Sequence, residues 1–158
     1  KIMVPICRTI EEGKKVLSLL AKYGLKQHQD GLEVYVMAEV PTNIILARDF
    51  AKIFDGFSIG SNDLTQFTLA IDRDAGDLKV LCVSNEKNAS IKTLIKYLIE
   101  VGKETGRKVG ICGQAPSDFP DFARYLAASG IDSISLNPDT VIKTTIDLLK
   151  AEGQAKKS

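Results

Sequence analysis

Short apolar segments alternate with longer amphipathic segments along the 158 residues of the chain. The short segments are rich in β-branched residues and predict strands, whereas apolar side chains at helical spacing predict helices. Repeated strand–helix units with continuously apolar strands are typical of a parallel sheet covered by helices, so we expect an α/β protein. The predicted strands cover residues 2–6, 32–38, 56–59, 109–112 and 133–136, and helices begin near Thr9, Thr42, Ala89, Pro120 and Pro138.

Polar residues follow the predicted strands directly, at the positions where each strand ends. They are Glu39, the Ser61-Asn62-Asp63 segment, Cys112 and Asn137. The nucleotide-binding motifs GxGxxG, after the first strand, and GxxxxGK[ST] are missing, which disfavours a nucleotide-binding open sheet. Barrel enzymes keep their chemistry at the carboxyl ends of the strands. We therefore predict a partial TIM (β/α)8-type barrel of about five βα units, with roughly three of the eight units absent.

Composition and charge restrict the class of protein. Lys+Arg 21 against Asp+Glu 20 gives a net charge of +1, which offers no electrostatic argument for nucleic acid or anionic lipid as partners. No apolar run approaches the ~20 residues that a membrane span requires. Cys7, Cys82 and Cys112 fit neither a disulfide framework nor a zinc motif, so we expect reduced thiols in a cytoplasmic protein. Cys7 and Cys82 are interpreted as structural.

The length suits a single domain, which we place at residues 1–152. Residues 153–158 are predicted to form a disordered basic tail. Because the chain starts at Lys1 directly before a strand and without an initiator Met, we expect it to be cut from a longer protein. Between Asp63 and Ala89 lie roughly 25 residues without a clear pattern, and connections of that length are usually functional.

Two carboxylates, Glu39 and Asp63, each lie just beyond a predicted strand. If the strands are neighbours, the carboxylates converge at one edge of the sheet. Two hard oxygen ligands with room for water and substrate oxygens suit Mg²⁺. The structural alternative is that Asp63 caps a helix beginning at Leu64 and that Glu39 is a solvated loop residue.

Other groups also have both a functional and a structural interpretation. The amides of residues 60–63 could bind an anion at a helix start, although glycine and capping residues are common in any βα loop. Cys112 could exchange protons with a carbon acid, or it could be a small buried core residue. Arg73 could belong to a site or to a surface ion-pair cluster with the aspartates beside it. His28, the only histidine, is expected to be exposed in a polar loop.

Several ordered motifs resemble those of the phosphoenolpyruvate (PEP)-utilising enzymes. The motifs are GSNDLTQ at residues 60–66, DRD at 72–74 and GICGQ at 110–114, and the similarity covers nearly the whole chain. The motifs QAPSD at 114–118 and DSISLNPD at 132–139 are similar to those of the synthase branch of the family. The dikinase branch and the Enzyme I branch usually carry Glu at the position of Gln114.

The resemblance implies a reaction in which ATP, pyruvate and water give PEP, AMP and phosphate. A phosphohistidine domain and a nucleotide-grasp domain, both absent from this chain, would supply the phosphoryl group. Mg²⁺ would be held by Glu39 and Asp63, and Cys112 would move the proton at the methyl carbon of pyruvate. The substrate or the transferring phosphoryl group would be bound by Gly60, Ser61, Asn62, Asp63 and Arg73.

The resemblance leaves alternatives open and also bears on assembly. The chain could be the corresponding portion of a dikinase or of Enzyme I, or a non-catalytic binding or regulatory module. Related enzymes pair through their barrel domains, so the resemblance implies a homodimer. The open edges and an apolar interior of an incomplete barrel are also expected to drive self-association, and to leave the isolated fragment inactive.

Overall fold

The computed structural model describes residues 1–71 and 87–155 and contains one five-stranded sheet. All neighbouring strands are parallel, and their order in the sheet is their order along the chain. This arrangement, in which each strand lies beside the next, confirms the predicted α/β class with five parallel strands. The strands are β1 (Ile2–Val4), β2 (Val34–Ala38), β3 (Gly56–Gly60), β4 (Lys108–Cys112) and β5 (Ser133–Ile134).

Helices connect the strands, and two of them begin at side-chain caps. Thr9 Oγ1 accepts the Glu12 N–H at 3.1 Å, and Asn88 Oδ1 accepts the Ser90 N–H at 2.9 Å. Such caps satisfy backbone donors that a helix start leaves free. The helices are α1 (Ile10–Lys22), α2 (Pro41–Ile45), α3 (Ala47–Phe50), α4 (Ser61–Leu69), α5 (Ala89–Thr105), α6 (Ala115–Asp118), α7 (Pro120–Ser129) and α8 (Val141–Ala155).

Two predicted helices differ from the observed ones. The helix predicted from Thr42 is divided into α2 and α3 at Leu46, whose φ of −102° and ψ of 25° leave the helical region. The closing helix begins at Val141 rather than Pro138, because residues 138–140 form a turn in which the Thr140 N–H donates to the Asn137 carbonyl at 2.9 Å. This helix continues to Ala155, so the first residues of the predicted tail are helical, and residues 156–158 lie outside the described residues.

One face of the sheet packs against the helices and forms the core. Val34, Val36 and Ala38 alternate along β2 and are all 0% exposed. The register pairs Val36 with Phe57 and Ala38 with Ile59, so the same apolar face continues across β3. The core is completed by Val109 and Ile111 of β4 and by helix residues that include Ile44, Phe50, Ile91, Ile95, Leu98 and Phe122.

The opposite face of the sheet, which we call the inner face, carries Tyr35 and Met37 of β2 and mostly small or polar residues of β3, β4 and β5. The register places Met37 beside Ser58, Ser58 beside Gly110 and Gly110 beside Ser133. A cavity of about 450 Å³ lies against this face and reaches Ser58. In a closed barrel this face would be the interior. The apolar interior expected from the sequence is mixed in these strands, since Tyr35 and Met37 lie on the same face as Ser58 and Gly110.

Aspartates bind the amino-terminal ends of two strands. Asp55 donates its N–H to the Val34 carbonyl at 2.9 Å, and its Oδ2 accepts the Val34 N–H at 2.8 Å. Asp132 repeats this pair of bonds with Val109, each at 2.9 Å. Each aspartate thereby fixes the register of its strand on the strand before it in the sheet.

Within the described part of the chain, no helix has the length and apolar character that crossing a membrane demands.

Candidate active site

The carboxyl ends of β2, β3 and β4 form a rim on which three predicted site residues meet. Ala38 pairs with Ile59, and Gly60 pairs with Cys112, so Glu39 and Cys112 lie on either side of Gly60. The alternation of side chains along each strand directs all three positions to the inner face. Gly60 has no room for a side chain, because an added Cβ would lie 2.5 Å from Glu39 Oε2.

Glu39 is a buried carboxylate at this rim, with only 2% of the residue exposed. Burial raises its pKa, and the nearby charge of Asp63 raises it further, while a hydrogen bond from the Ile6 N–H to Oε1 at 2.7 Å acts in the opposite direction. Glu39 and Asp63, the two predicted metal ligands, follow neighbouring parallel strands, so both lie at the carboxyl-terminal edge of the sheet. The alternative in which Glu39 is a solvated loop residue is wrong.

The backbone that approaches Glu39 is strained. Ile6 has a φ of 46°, in the left-handed region that a β-branched residue rarely adopts. This conformation lets the Ile6 N–H reach the Glu39 carboxylate. Strain of this kind persists only where the surrounding structure enforces it, and it is found most often at functional sites.

Asn43 joins the loop after β1 to the turn that carries Glu39. It is 0% exposed, its Nδ2 donates to the Cys7 carbonyl at 2.6 Å, and its Oδ1 accepts the Val40 N–H at 3.0 Å. The Glu39 N–H also donates to Asn43 Oδ1, at the longer distance of 3.4 Å. These bonds fix the position of the Glu39 backbone at the carboxyl end of β2.

The turn after β3 leads directly into α4. Gly60 is the N-cap and Ser61 the first helical residue, so Asp63 lies in the first turn and is not the cap that the structural alternative required. A helix start concentrates free N–H groups and partial positive charge, which favour an anionic group. Asn62 and Asp63 are half-buried at this helix start.

Ser61 is 0% exposed, and its Oγ has no hydrogen-bond partner among the described residues. Gly113 packs directly against this hydroxyl, because a Cβ at Gly113 would lie 2.6 Å from Ser61 Oγ. The backbone of Gly113 has a φ of 119°, which favours glycine. A buried hydroxyl without a partner is costly, and it leaves a donor and an acceptor beside the helix start.

Cys112 is half-buried on the inner face rather than packed in the core. Its Sγ–H donates to the Ile59 carbonyl at 3.4 Å, and its sulfur accepts a hydrogen bond from Ser58 Oγ at 3.4 Å. Cys7, interpreted from the sequence as structural, is 3% exposed, and burial raises the pKa of its thiol.

Two of the residues weighed from the sequence are not on this rim, and two others cannot be placed. His28 is largely exposed as expected, but its Nε2 lies 2.6 Å from Asp55 Oδ1 at the amino-terminal end of the sheet. Asn137 follows β5 and is exposed, with its N–H donated to Ser117 Oγ at 2.9 Å. Arg73 and Cys82 lie outside the described residues.

The carboxylate pair fits a hard divalent cation. Glu39 and Asp63 supply oxygen ligands, and the burial of Glu39 makes an unneutralised carboxylate unfavourable at this position. Within residues 1–71 and 87–155, no group of three or more His, Cys, Asp or Glu side chains is arranged to hold a metal ion. Glu39 and Asp63 are the carboxylates at this rim that could hold a cation.

Sequence reasoning did not identify Ile6, Asn43 or Ser58 as parts of the site. Ser58 carried a usable signal, since it lies two residues before Gly60 and therefore on the same face of β3. Ile6 and Asn43 carried none, because their roles depend on contacts with residues more than thirty positions away.

The model of the family described as PEP-utilising enzyme, PEP-binding domain, matches residues 1–152. The chain belongs to this family. Among the relatives are phosphoenolpyruvate synthases of Aquifex aeolicus (60% identical over 152 residues), Synechocystis sp. (56% over 150) and Escherichia coli (49% over 148). These matches cover 94–96% of this chain but only 18% of each relative. The chain therefore spans about a fifth of their length.

Solved structures with a similar fold are TIM-barrel-like proteins of the aldolase and citrate lyase type. A citrate lyase from Burkholderia xenovorans has a TM-score of 0.64 at 13% identity, over 93% of this chain and 48% of that one. The citrate lyase beta subunit of M. tuberculosis, solved with oxaloacetate and magnesium, has a TM-score of 0.60 at 14% identity, over 94% of this chain and 59% of that one. These similarities confirm the predicted barrel-type fold.

Proposed function

We propose that the chain is the PEP- and pyruvate-binding part of a longer phosphoenolpyruvate synthase, which converts ATP, pyruvate and water to PEP, AMP and phosphate. The observation that carries the proposal is the rim around Gly60, where the Glu39–Asp63 pair, the start of α4 and the Cys112 thiol meet. Membership of the family and the synthase relatives support the choice of reaction. Carboxylates, anion-binding amides and a thiol are the groups that enolisation and phosphoryl transfer require.

Glu39 and Asp63 would hold Mg²⁺. When bound, the cation neutralises the negative charge that develops on the oxygen of pyruvate during enolisation. Glu39 is suited to this role because its carboxylate is buried and fixed by the Ile6 N–H, so little reorganisation is needed when a cation arrives. Asp63 lies in the first turn of a helix and is half-buried, which leaves part of its side chain accessible to a ligand.

The backbone of residues 60–63 would bind the anionic groups of the substrate. The free N–H groups at the start of α4 favour a carboxylate or a phosphoryl group. Ser61 contributes through its backbone, since its side chain is buried, and Asn62 contributes an amide side chain. Arg73 is proposed as a further ligand of the same anions on the basis of the family motif alone.

Cys112 would transfer the proton at the methyl carbon of pyruvate. As a thiolate it takes this proton, the C–H electron pair forms the C=C bond, and the carbonyl oxygen becomes the nucleophile that accepts the phosphoryl group. The position of the thiol on the inner face, one strand away from Glu39 and Gly60, supports this assignment.

The remaining parts of the reaction belong to the longer protein. A nucleotide-grasp domain and a phosphohistidine domain would be located in the rest of the relatives' length, which this chain does not cover. We also propose a homodimer and a cytoplasmic location, the latter because Cys7 and Cys112 are free thiols.

The substitution Asp63→Asn in the full-length enzyme tests the proposal. It should lower pyruvate-dependent turnover by at least a hundredfold, because the neutral amide is a poor Mg²⁺ ligand, and leave phosphorylation of the distant histidine by ATP nearly unchanged. The matched control is Asp49→Asn, which changes an exposed carboxylate on α3 whose ion-pair partner among the described residues is Lys52, and it should alter neither half-reaction. Equal loss of both half-reactions in Asp63→Asn would contradict the site.

A further inference from the structure

Ser58 is a buried hydroxyl that the proposed mechanism does not use. It is 6% exposed and lies on the inner face of β3, two residues before Gly60. The register places it beside Gly110, two residues before Cys112 on the same face of β4. Ser58 Oγ is 3.4 Å from Cys112 Sγ, within the range of a hydrogen bond to sulfur.

The thiol of Cys112 is therefore held from two directions. Its own hydrogen is donated to the Ile59 carbonyl, and its sulfur accepts from Ser58. Both partners come from neighbouring positions of β3, so a single strand sets the orientation of the sulfur on the inner face. A hydroxyl that donates to sulfur stabilises the thiolate more than the thiol, because the anion is the stronger acceptor.

We propose that Ser58 is a positioning residue for Cys112: it orients the sulfur and stabilises the thiolate that proton transfer requires. This inference deepens the role given to Cys112 and rests on the proposed function only for the catalytic step. The orientation itself follows from contacts between β3 and β4. The titratable groups that the described structure places on the same rim are Glu39, across Gly60, and Asp63, whereas the hydrogen bonds of the sulfur go to Ser58 and Ile59.

The test measures alkylation of Cys112 by iodoacetamide in the full-length enzyme, with site-resolved mass spectrometry to separate it from the other cysteines. Ser58→Ala should slow the reaction about two- to threefold at pH 7, because the thiolate fraction falls while the remaining thiolate becomes somewhat more nucleophilic. At high pH, where the thiol is fully ionised, the difference should vanish or reverse. Ser58→Thr, which keeps the hydroxyl, should restore the profile.

Two controls separate this outcome from simple changes in access or folding. Ser133→Ala removes another hydroxyl from the inner face and should leave alkylation of Cys112 unchanged. The thermal midpoint of each variant shows whether it is folded, and Ser58→Thr carries the test if Ser58→Ala is not. Faster alkylation of Ser58→Ala at every pH, or no change at all, would overturn the proposal, since Ser58 would then only cover the sulfur.

A second readout distinguishes failure of this inference from failure of the proposed function. Exchange of the methyl protons of pyruvate with solvent, followed by NMR, should stop in Cys112→Ala and fall about tenfold in Ser58→Ala. If the alkylation profile shifts as expected but Cys112→Ala still exchanges protons, Ser58 positions the thiol and the proton-transfer role of Cys112 is wrong. If Cys112→Ala stops exchange but Ser58→Ala changes neither readout, the function stands and the role of Ser58 is wrong.

Discussion

Asp55 and Glu39 are both buried carboxylates beside a strand end, one at each end of the same sheet, yet their pKa values shift in opposite directions. Burial alone would raise the pKa of Asp55, but hydrogen bonds from the Val34 N–H, Gln27 and His28 outweigh it and lower the pKa. Burial raises the pKa of Glu39, the single hydrogen bond from the Ile6 N–H does not outweigh it, and the charge of Asp63 adds to the increase.

The difference shows how the molecule divides stability and chemistry between the two ends of the sheet. At the amino-terminal end, polar groups are satisfied by partners within the chain, and Asp132 repeats the pattern of Asp55 with Val109 and Lys108. At the carboxyl-terminal end, Ser61 Oγ has no partner among the described residues and Ile6 is strained. A buried hydroxyl without a partner and a strained backbone both cost stability, and such features are found most often at functional sites.

The largest effect is expected from Asp55→Ala. This change leaves the Val34 N–H buried without its side-chain acceptor and releases Gln27 and His28, so the free energy of unfolding should fall by about 3 kcal/mol at pH 7. Urea denaturation followed by circular dichroism measures it. Because the folded pKa of Asp55 lies below the usual 3.8, its contribution is complete above that pH and is lost as the pH falls further.

Two other aspartates provide the comparison for the loss of stability in Asp55→Ala. Asp132→Ala should cost about 1 kcal/mol, because the Asp132 side chain is 32% exposed whereas that of Asp55 is 8% exposed, so water replaces part of its bonds. Asp49→Ala removes only an exposed ion pair with Lys52 and should cost less than about 0.5 kcal/mol. Equal losses for all three would mean that the amino-terminal end is not specially stabilised.

Glu39→Gln should raise the free energy of unfolding, whereas the aspartate substitutions lower it. The neutral amide keeps an oxygen for the Ile6 N–H but removes a buried charge near Asp63, so the metal-free protein should gain about 1.5 kcal/mol of stability at pH 7. The same variant should lose Mg²⁺ affinity, measured by isothermal titration calorimetry. Stability gained together with binding lost would mark the residue as functional.

The pH dependence supplies the control for Glu39→Gln. A carboxylate with a raised folded pKa holds its proton more tightly in the folded state than in the unfolded state. The contribution of Glu39 to stability should therefore be most favourable below the usual pKa of 4.5 and decline as the pH rises through the folded pKa. The gap between parent and variant should be absent in acid and open with rising pH. A constant gap would attribute it to packing instead.

The fold could be predicted from the sequence more fully than the site. Continuously apolar strands that alternate with amphipathic segments predict the parallel sheet, and the structure confirms its five strands. The rule that parallel strands present their carboxyl ends at one edge predicts that Glu39 and Asp63 approach each other. Both inferences need only local pattern and strand order.

What the sequence could not supply depends on register and on contacts between distant segments. Ser58 and Cys112 are separated by 54 positions, and a slip of one residue between β3 and β4 would put Ser58 on the core face. The left-handed backbone of Ile6 has no local signal, since glycine or asparagine would be expected there. The break at Leu46 likewise lies within a segment whose side chains favour a continuous helix.

A small effect is also expected from the strained backbone of Ile6. There the glycine variant should be more stable than the alanine variant, which is the reverse of the order expected within a helix. Ile6 is 44% exposed, so both Ile6→Gly and Ile6→Ala lose a modest apolar contact, but glycine alone relieves the left-handed φ of 46°. The glycine variant should be the more stable of the two by about 1 kcal/mol in thermal or urea denaturation. Leu19, 53% exposed within α1, is the control: there the order should reverse, with Leu19→Ala more stable than Leu19→Gly by about 1 kcal/mol, because glycine is a poor helix former. If alanine is also the more stable residue at position 6, the loop that presents its N–H to Glu39 is not strained, and the two ends of the sheet differ only in hydrogen bonding.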